Sequence, residues 1–156
     1  MIILQWCKTQ IMCLLILAYI GIIYIREENH LNQISKKKNC NFIFDALFIV
    51  TELAVLFDGI TACTINLQEQ IPRTVNLLIH LGMFVFYEIF TILLFLYWVF
   101  ETVGEPKRKG NMVAYLLPGI VSICLTIFFI PELKFIPGKY TSYSMGTAVY
   151  VSFICA

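Results

Sequence analysis

The chain has 156 residues, 60% of them hydrophobic and 13% charged, with a formal net charge of +1. Soluble domains run at roughly 45–50% apolar and about 25% charged, so this composition excludes an ordinary soluble domain and has the sign of a membrane protein. The net charge says nothing by itself; where the charges sit carries the information.

A helix that crosses a bilayer needs about 20 apolar residues. In chain order, the first such segment is 1–25, broken early by Lys8, Thr9 and Gln10. It has no basic region ahead of its apolar run and no A-x-A site, so it reads as a retained helix and not as a cleaved signal. The polar stretch 26–41 follows. The second helix is 42–65, and a short loop containing Pro72, 66–74, leads into the third, 75–100, the most hydrophobic of the set. After the polar loop 101–112 comes the fourth helix, 113–130, with Pro118 near its start, where a membrane helix tolerates it. The loop 131–144 holds Pro137 and Gly138. A fifth apolar run of about 12 residues begins near Met145 and reaches Ala156, too short to cross a membrane as a helix. The expected fold is therefore all-α: one domain over 1–156, a polytopic transmembrane bundle of four full helices and a truncated fifth, with the chain a fragment of a longer protein.

Orientation follows from the basic residues. Loops 26–41 and 101–112 together hold seven: Arg26, Lys36, Lys37, Lys38, Lys107, Arg108 and Lys109. The opposite side holds three, Arg73, Lys134 and Lys139. The expectation is a multi-pass protein of the plasma membrane with its N-terminus outside and the two basic loops in the cytoplasm. The lysines at 36–38 read as an anchor beside anionic lipid, and not as a nucleic-acid site. Tyr97 and Trp98 fit the interfacial aromatic belt.

Ionisable residues inside spans are costly and mark either a functional site or a polar core that fixes packing. Asp45 lies close to a helix end and reaches the interface. The others form two layers. Lys8 and Asp58 are seven residues from the outer ends of their helices and His80 is five, a shared depth of about 8–10 Å at 1.5 Å per residue. Glu52 and Glu88 are each thirteen residues in, at about 20 Å; if they face each other, they share one proton. Lys8, Asp58, His80, Glu52 and Glu88 are thus the candidate ligand-binding or polar-core residues, with an unidentified small ligand or ion in an outward-opening pocket as the functional reading.

No catalytic motif is present: no G-x-S-x-G, H-E-x-x-H, P-loop or G-x-G-x-x-G. The six cysteines, Cys7, Cys13, Cys40, Cys63, Cys124 and Cys155, make no C-x-x-C, so neither a disulfide framework nor a zinc site is expected. They read as small apolar packing residues. No cofactor is implied.

Three stretches, FDGITACTIN at 57–66, IPRTVNLLIH at 71–80 and YTSYSMGTAVYVSF at 140–153, resemble the N-terminal membrane region of multi-spanning diguanylate cyclases from clostridia-like bacteria. In that group several helices precede a cytoplasmic GGDEF domain, and related membrane regions precede EAL and histidine-kinase output domains. The resemblance covers roughly residues 40–156. It implies a sensory input module in cyclic di-GMP signalling, able to pair as a homodimer through its signalling domain; the GGDEF signature itself is absent from this sequence. Two other functions remain open at this stage. One is a small proton- or cation-coupled transporter using Glu52 and Glu88; the other is a membrane assembly factor that takes no ligand.

Overall fold

The computed structural model describes residues 7–31, 38–104, 109–138 and 142–155. Lys36, Lys37, Lys107, Arg108 and Lys139, on which the orientation count partly rests, lie outside the described residues. Five helices carry the fold: α1 (Lys8–Leu31), α2 (Lys38–Asn66), α3 (Arg73–Thr102), α4 (Lys109–Phe129) and α5 (Thr147–Cys155). Two stretches, Arg73–Thr102 and Met112–Glu132, are long and apolar enough to cross a membrane. That is fewer than the four full spans expected. The apolar part of α1, Lys8–Tyr24, is shorter, and α2 carries Asp45, Glu52 and Asp58 along its length.

The helices overrun the apolar segments that predict them. Arg26, Glu27 and Glu28 are good helix formers, so α1 continues through them to Leu31. The stops are sharper. Pro72, with φ −56°, precedes the first turn of α3, where its missing N–H costs nothing. At the other end Val103 N–H donates to the Val99 carbonyl at 2.8 Å, and Gly104 takes the left-handed φ of +87° that ends many helices.

The all-α reading needs one amendment. Between α4 and α5 the chain makes a 3-10 turn (Ile130–Glu132) and a two-stranded antiparallel hairpin, β1 (Lys134–Ile136) and β2 (Tyr143–Met145). The register pairs Lys134 with Met145, Phe135 with Ser144 and Ile136 with Tyr143. Strands this short are set by tertiary context and not by propensity. Here the context is Leu133, fully buried at the head of β1, and Ala148, fully buried in the first turn of α5. They pack with Met83, Phe84 and Ile130 into one apolar cluster.

Neighbouring helices pack in sequence, α1 on α2, α2 on α3, α3 on α4 and α4 on α5, with α5 also touching α3. Close approach depends on small residues. A Cβ at Gly82 of α3 would stand 2.6 Å from the Phe57 ring of α2, and one at Gly119 of α4 would collide with Ile92 of α3. A second apolar cluster, Ile43, Val99 and Phe100, closes the far end of α3.

Buried polar side chains accompany these apolar clusters. Thr61, Thr64, Asn76, His80, Glu88, Ser122, Thr126 and Ser152 are buried, whereas Leu15, Ile22, Leu78, Trp98, Val113 and Phe128 are exposed. The less exposed positions fall on single helix faces. On α1 the less exposed positions are Cys7, Gln10, Leu14, Leu17, Gly21 and Tyr24. That is the alternating three- and four-residue step of one helix face. On α4 the inward stripe runs through Met112, Tyr115, Gly119, Ser122 and Thr126 and continues into Ile130 of the 3-10 turn, so its two fully inward hydroxyls sit one turn apart while the outward positions are apolar.

Candidate functional site

At the hairpin end of the bundle, α2 and α3 are held together by side chains that satisfy each other's backbones. Thr64 Oγ1 donates to Asn76 Oδ1 at 2.8 Å, and Asn76 Nδ2 reaches back to the Thr64 carbonyl at 3.4 Å. One turn further along α3, His80 Nδ1 lies 2.9 Å from the Asn76 carbonyl. A carbonyl only accepts, so Nδ1 carries the proton and Nε2 is the acceptor of the neutral ring. The ring also rests on Phe135 of β1, with centroids 4.9 Å apart. On α2, Thr61 Oγ1 donates to the Asp58 carbonyl at 2.7 Å and makes a longer contact, 3.4 Å, with Met83 Sδ.

These residues frame a cavity of about 670 Å³. Asp58, Thr61 and Ile65 of α2 form one wall; His80, Phe84 and Tyr87 of α3 form a second. Ser142, Tyr143 and Ser144 of the hairpin, with Ser152 and Phe153 of α5, complete it. The Ser142 amide donates to Asn66 Oδ1 at 2.8 Å, tying the hairpin to the end of α2. Asp58 and His80, expected in one layer, do share this space. Each has its own bonded partner, so the layer is a cavity with two polar walls and not a carboxylate–histidine pair.

Lys8 is not part of it. It is exposed, and the side chain that meets Asp58 is Gln10, whose Nε2 donates to Asp58 Oδ2 at 2.8 Å. Depth alone suggests Lys8; face decides for Gln10. At about 100° per residue, Lys8 points away from the stripe that Cys7 and Gln10 share. Cys7 completes the junction: its Sγ contacts the Gly59 carbonyl at 3.2 Å and the Cys63 Sγ at 2.9 Å, and both thiols are free. These two cysteines therefore form a specific contact across helices rather than filling apolar space.

Glu52 and Glu88 belong to different interfaces. Glu52 lies one turn from Phe48 and two from Gly59, which pack against Gly21 and Gln10 of α1. Glu88, only 2% exposed, is turned the other way, and accepts a hydrogen bond from Thr126 of α4. Equal depth does not bring the two carboxylates together. Beside Glu88 a second cavity of about 440 Å³ opens between α3 and α4, lined by Thr91, Ile92, Phe95, Tyr115, Pro118 and Ser122. Glu88 Oε2 and Ser122 Oγ are both buried at this interface, and the Ser122 hydroxyl is a hydrogen-bonding neighbour of the Glu88 carboxyl. Among the described residues no group of three or more His, Cys, Asp or Glu side chains is placed to hold a metal ion.

The sequence reading missed Gln10, Asn76, Ser122, Thr126 and the hairpin serines. Ser122 and Thr126 had a signal: two hydroxyls at i and i+4 in an otherwise apolar helix lie on one face, where interhelical hydrogen bonds form. The hairpin serines had none, because nothing local marks residues 142–144 as a strand. Set against known proteins, the chain matches no family model, no curated protein and no solved structure.

Proposed function

We propose that this chain is a membrane-embedded sensory input module that binds a small amphipathic ligand in the Asp58–His80 cavity. The observation that carries this reading is who builds the cavity: α2 and α3, the most closely packed pair, supply two walls, while the hairpin and α5 supply the rest. A volume of about 670 Å³ lies within the range of small-molecule sites, and its lining has their character, an aromatic and aliphatic body with a few convergent polar groups. A ligand with hydrogen-bond donors at one end and an apolar body suits the Asp58 carboxylate, the His80 Nε2 acceptor and the surrounding Phe84, Phe90 and Phe153. Its occupancy loads α5 directly, because Val149, Ser152 and Phe153 touch the same space.

Exposed apolar faces on several helices support the membrane setting, since they match hydrocarbon and not water. In this reading α1 to α4 all span the bilayer and α5 begins a fifth crossing. The seven-to-three bias of basic residues orients the protein with its N-terminus outside, so the cavity opens outward. The resemblance to the membrane regions of diguanylate cyclases supplies the output: a cytoplasmic GGDEF domain raising cyclic di-GMP. The transporter alternative requires Glu52 and Glu88 on one path, and their separate interfaces give it no support.

The test is made in cells that produce the protein from its whole gene, with a cyclic di-GMP reporter. Asp58→Asn and His80→Ala are expected to shift the reporter at least severalfold while the protein still extracts with the membrane fraction. A reporter level equal to wild type in both variants would overturn the sensory reading, and loss of membrane insertion in both would assign these residues to packing alone.

A further inference from the structure

From the contact between the start of α1 and the last turn of α2 we infer a redox site: Cys7 and Cys63 form a reversible disulfide that fastens the first helix to the bundle. Both thiols are free in this structure, and their sulfurs stand 2.9 Å apart although the residues lie 56 positions apart in the chain. A disulfide bond is about 2.05 Å long, so closure needs a movement of only about 0.9 Å. The approach is set by Gly59, one turn before Cys63 on the same face of α2. Having no side chain, Gly59 lets α1 come close: a Cβ there would stand 3.5 Å from the Gln10 Cβ. The bare carbonyl of Gly59 then accepts from Cys7 Sγ at 3.2 Å. With its hydrogen held there, Cys7 turns a sulfur lone pair towards the Cys63 thiol.

A bond here falls where α1 needs it. Helices α2 and α3 are the most closely packed pair, whereas α1 packs chiefly on α2. Its contacts from Cys7 to Gly59, from Cys7 to Cys63 and from Gln10 to Asp58 all lie at this one end. The link would therefore pin the helix beside the Gln10–Asp58 hydrogen bond. It would also close a loop of more than fifty residues, a length at which a cross-link removes much freedom from the loosened chain. In the orientation proposed above this end faces outward, the side on which disulfides persist. The chemistry is exchange with a small disulfide from that side. One cysteine, as thiolate, attacks a reagent sulfur, and the other reagent sulfur leaves and takes up a proton. The second cysteine then attacks the protein sulfur of the mixed disulfide and expels the remaining reagent thiol. The cysteine pair is oxidised by loss of two hydrogens, and the reagent disulfide is reduced to thiol.

The bond does not rest on the sensory reading, and its test needs no output domain. Membranes holding the full chain are equilibrated in mixtures of oxidised and reduced dithiothreitol, quenched with N-ethylmaleimide and digested for mass spectrometry. A peptide pair joining Cys7 to Cys63, two hydrogens lighter than the free peptides, is expected to rise and fall reversibly with the oxidised fraction. Cys13 and Cys124, both exposed, should carry maleimide throughout. The joined form should unfold several degrees above the reduced form, and Cys63→Ser and Cys7→Ser should each abolish both the link and that difference. Maleimide on Cys7 and Cys63 at the most oxidising mixture would overturn the inference. So would a link from either residue to another cysteine or to a second chain, and so would a Cys7–Cys63 bond that leaves the unfolding temperature unchanged, since such a bond fastens nothing.

Discussion

The exchange of Lys8 for Gln10 at Asp58 shows what one residue can and cannot reveal about its place. The depth of both was legible from residue counts, because α1 and α2 are regular helices with a fixed rise. The face was also on the page, in the spacing Cys7, Gln10, Leu14, Leu17, Gly21, but a charge draws attention that an amide does not. The consequence is measurable. Gln10→Leu removes the donor from the Asp58 carboxylate and is expected to cost about 1 kcal/mol, in line with interhelical hydrogen bonds in membrane proteins. Gln10→Glu should cost more, since it sets one carboxylate against another. Lys8→Ala, at an exposed position, should stay within about 0.5 kcal/mol of wild type. Thermal unfolding of the purified protein in one detergent ranks the three; a Lys8→Ala loss as large as that of Gln10→Leu would contradict the assigned partners.

The elements themselves were readable where hydropathy or punctuation marks them. The apolar runs gave every helix, and Pro72 and Gly104 mark the ends of α3. The hairpin was not readable, since its three-residue strands depend on burying Leu133 and Ala148, which no local pattern announces. Nor was the way helices approach. Gly82 and Gly119 look like neutral members of apolar runs until their neighbours, Phe57 and Ile92, are known. The α3–α4 contact makes a clean test. Gly119→Ala drives a methyl into Ile92 and is expected to destabilise by about 1–3 kcal/mol, as overpacking does. Ile92→Ala alone leaves a gap and also destabilises. Combined, the two should be far less harmful than their sum, because the new methyl enters the space the isoleucine vacates. Additive losses in chemical or thermal unfolding would mean that Gly119 and Ile92 do not share that contact.

At the scale of the whole molecule, exposed apolar faces and two helices long and apolar enough to cross a membrane suit hydrocarbon surroundings, and the orientation proposed from its basic loops is open to direct measurement. In a background lacking the other cysteines, Lys36→Cys and Arg108→Cys should resist an impermeant maleimide in intact cells and react once the membrane is opened. Ready labelling from outside would invert the topology and turn the Asp58–His80 cavity towards the cytoplasm. A last consequence comes from the junction of Cys7 and Cys63. Helix α1 packs chiefly on α2, so its attachment depends on few contacts, and at 2.9 Å the two thiols are already within van der Waals separation of forming a bond of about 2.05 Å. An oxidant such as copper phenanthroline should take one hydrogen from each thiol and join them, a loss of two hydrogens visible by mass spectrometry and abolished by Cys63→Ser. Because the link closes only while α1 is seated, its rate of formation reports what share of the time the first helix spends in the bundle, and anything that loosens that helix should slow it.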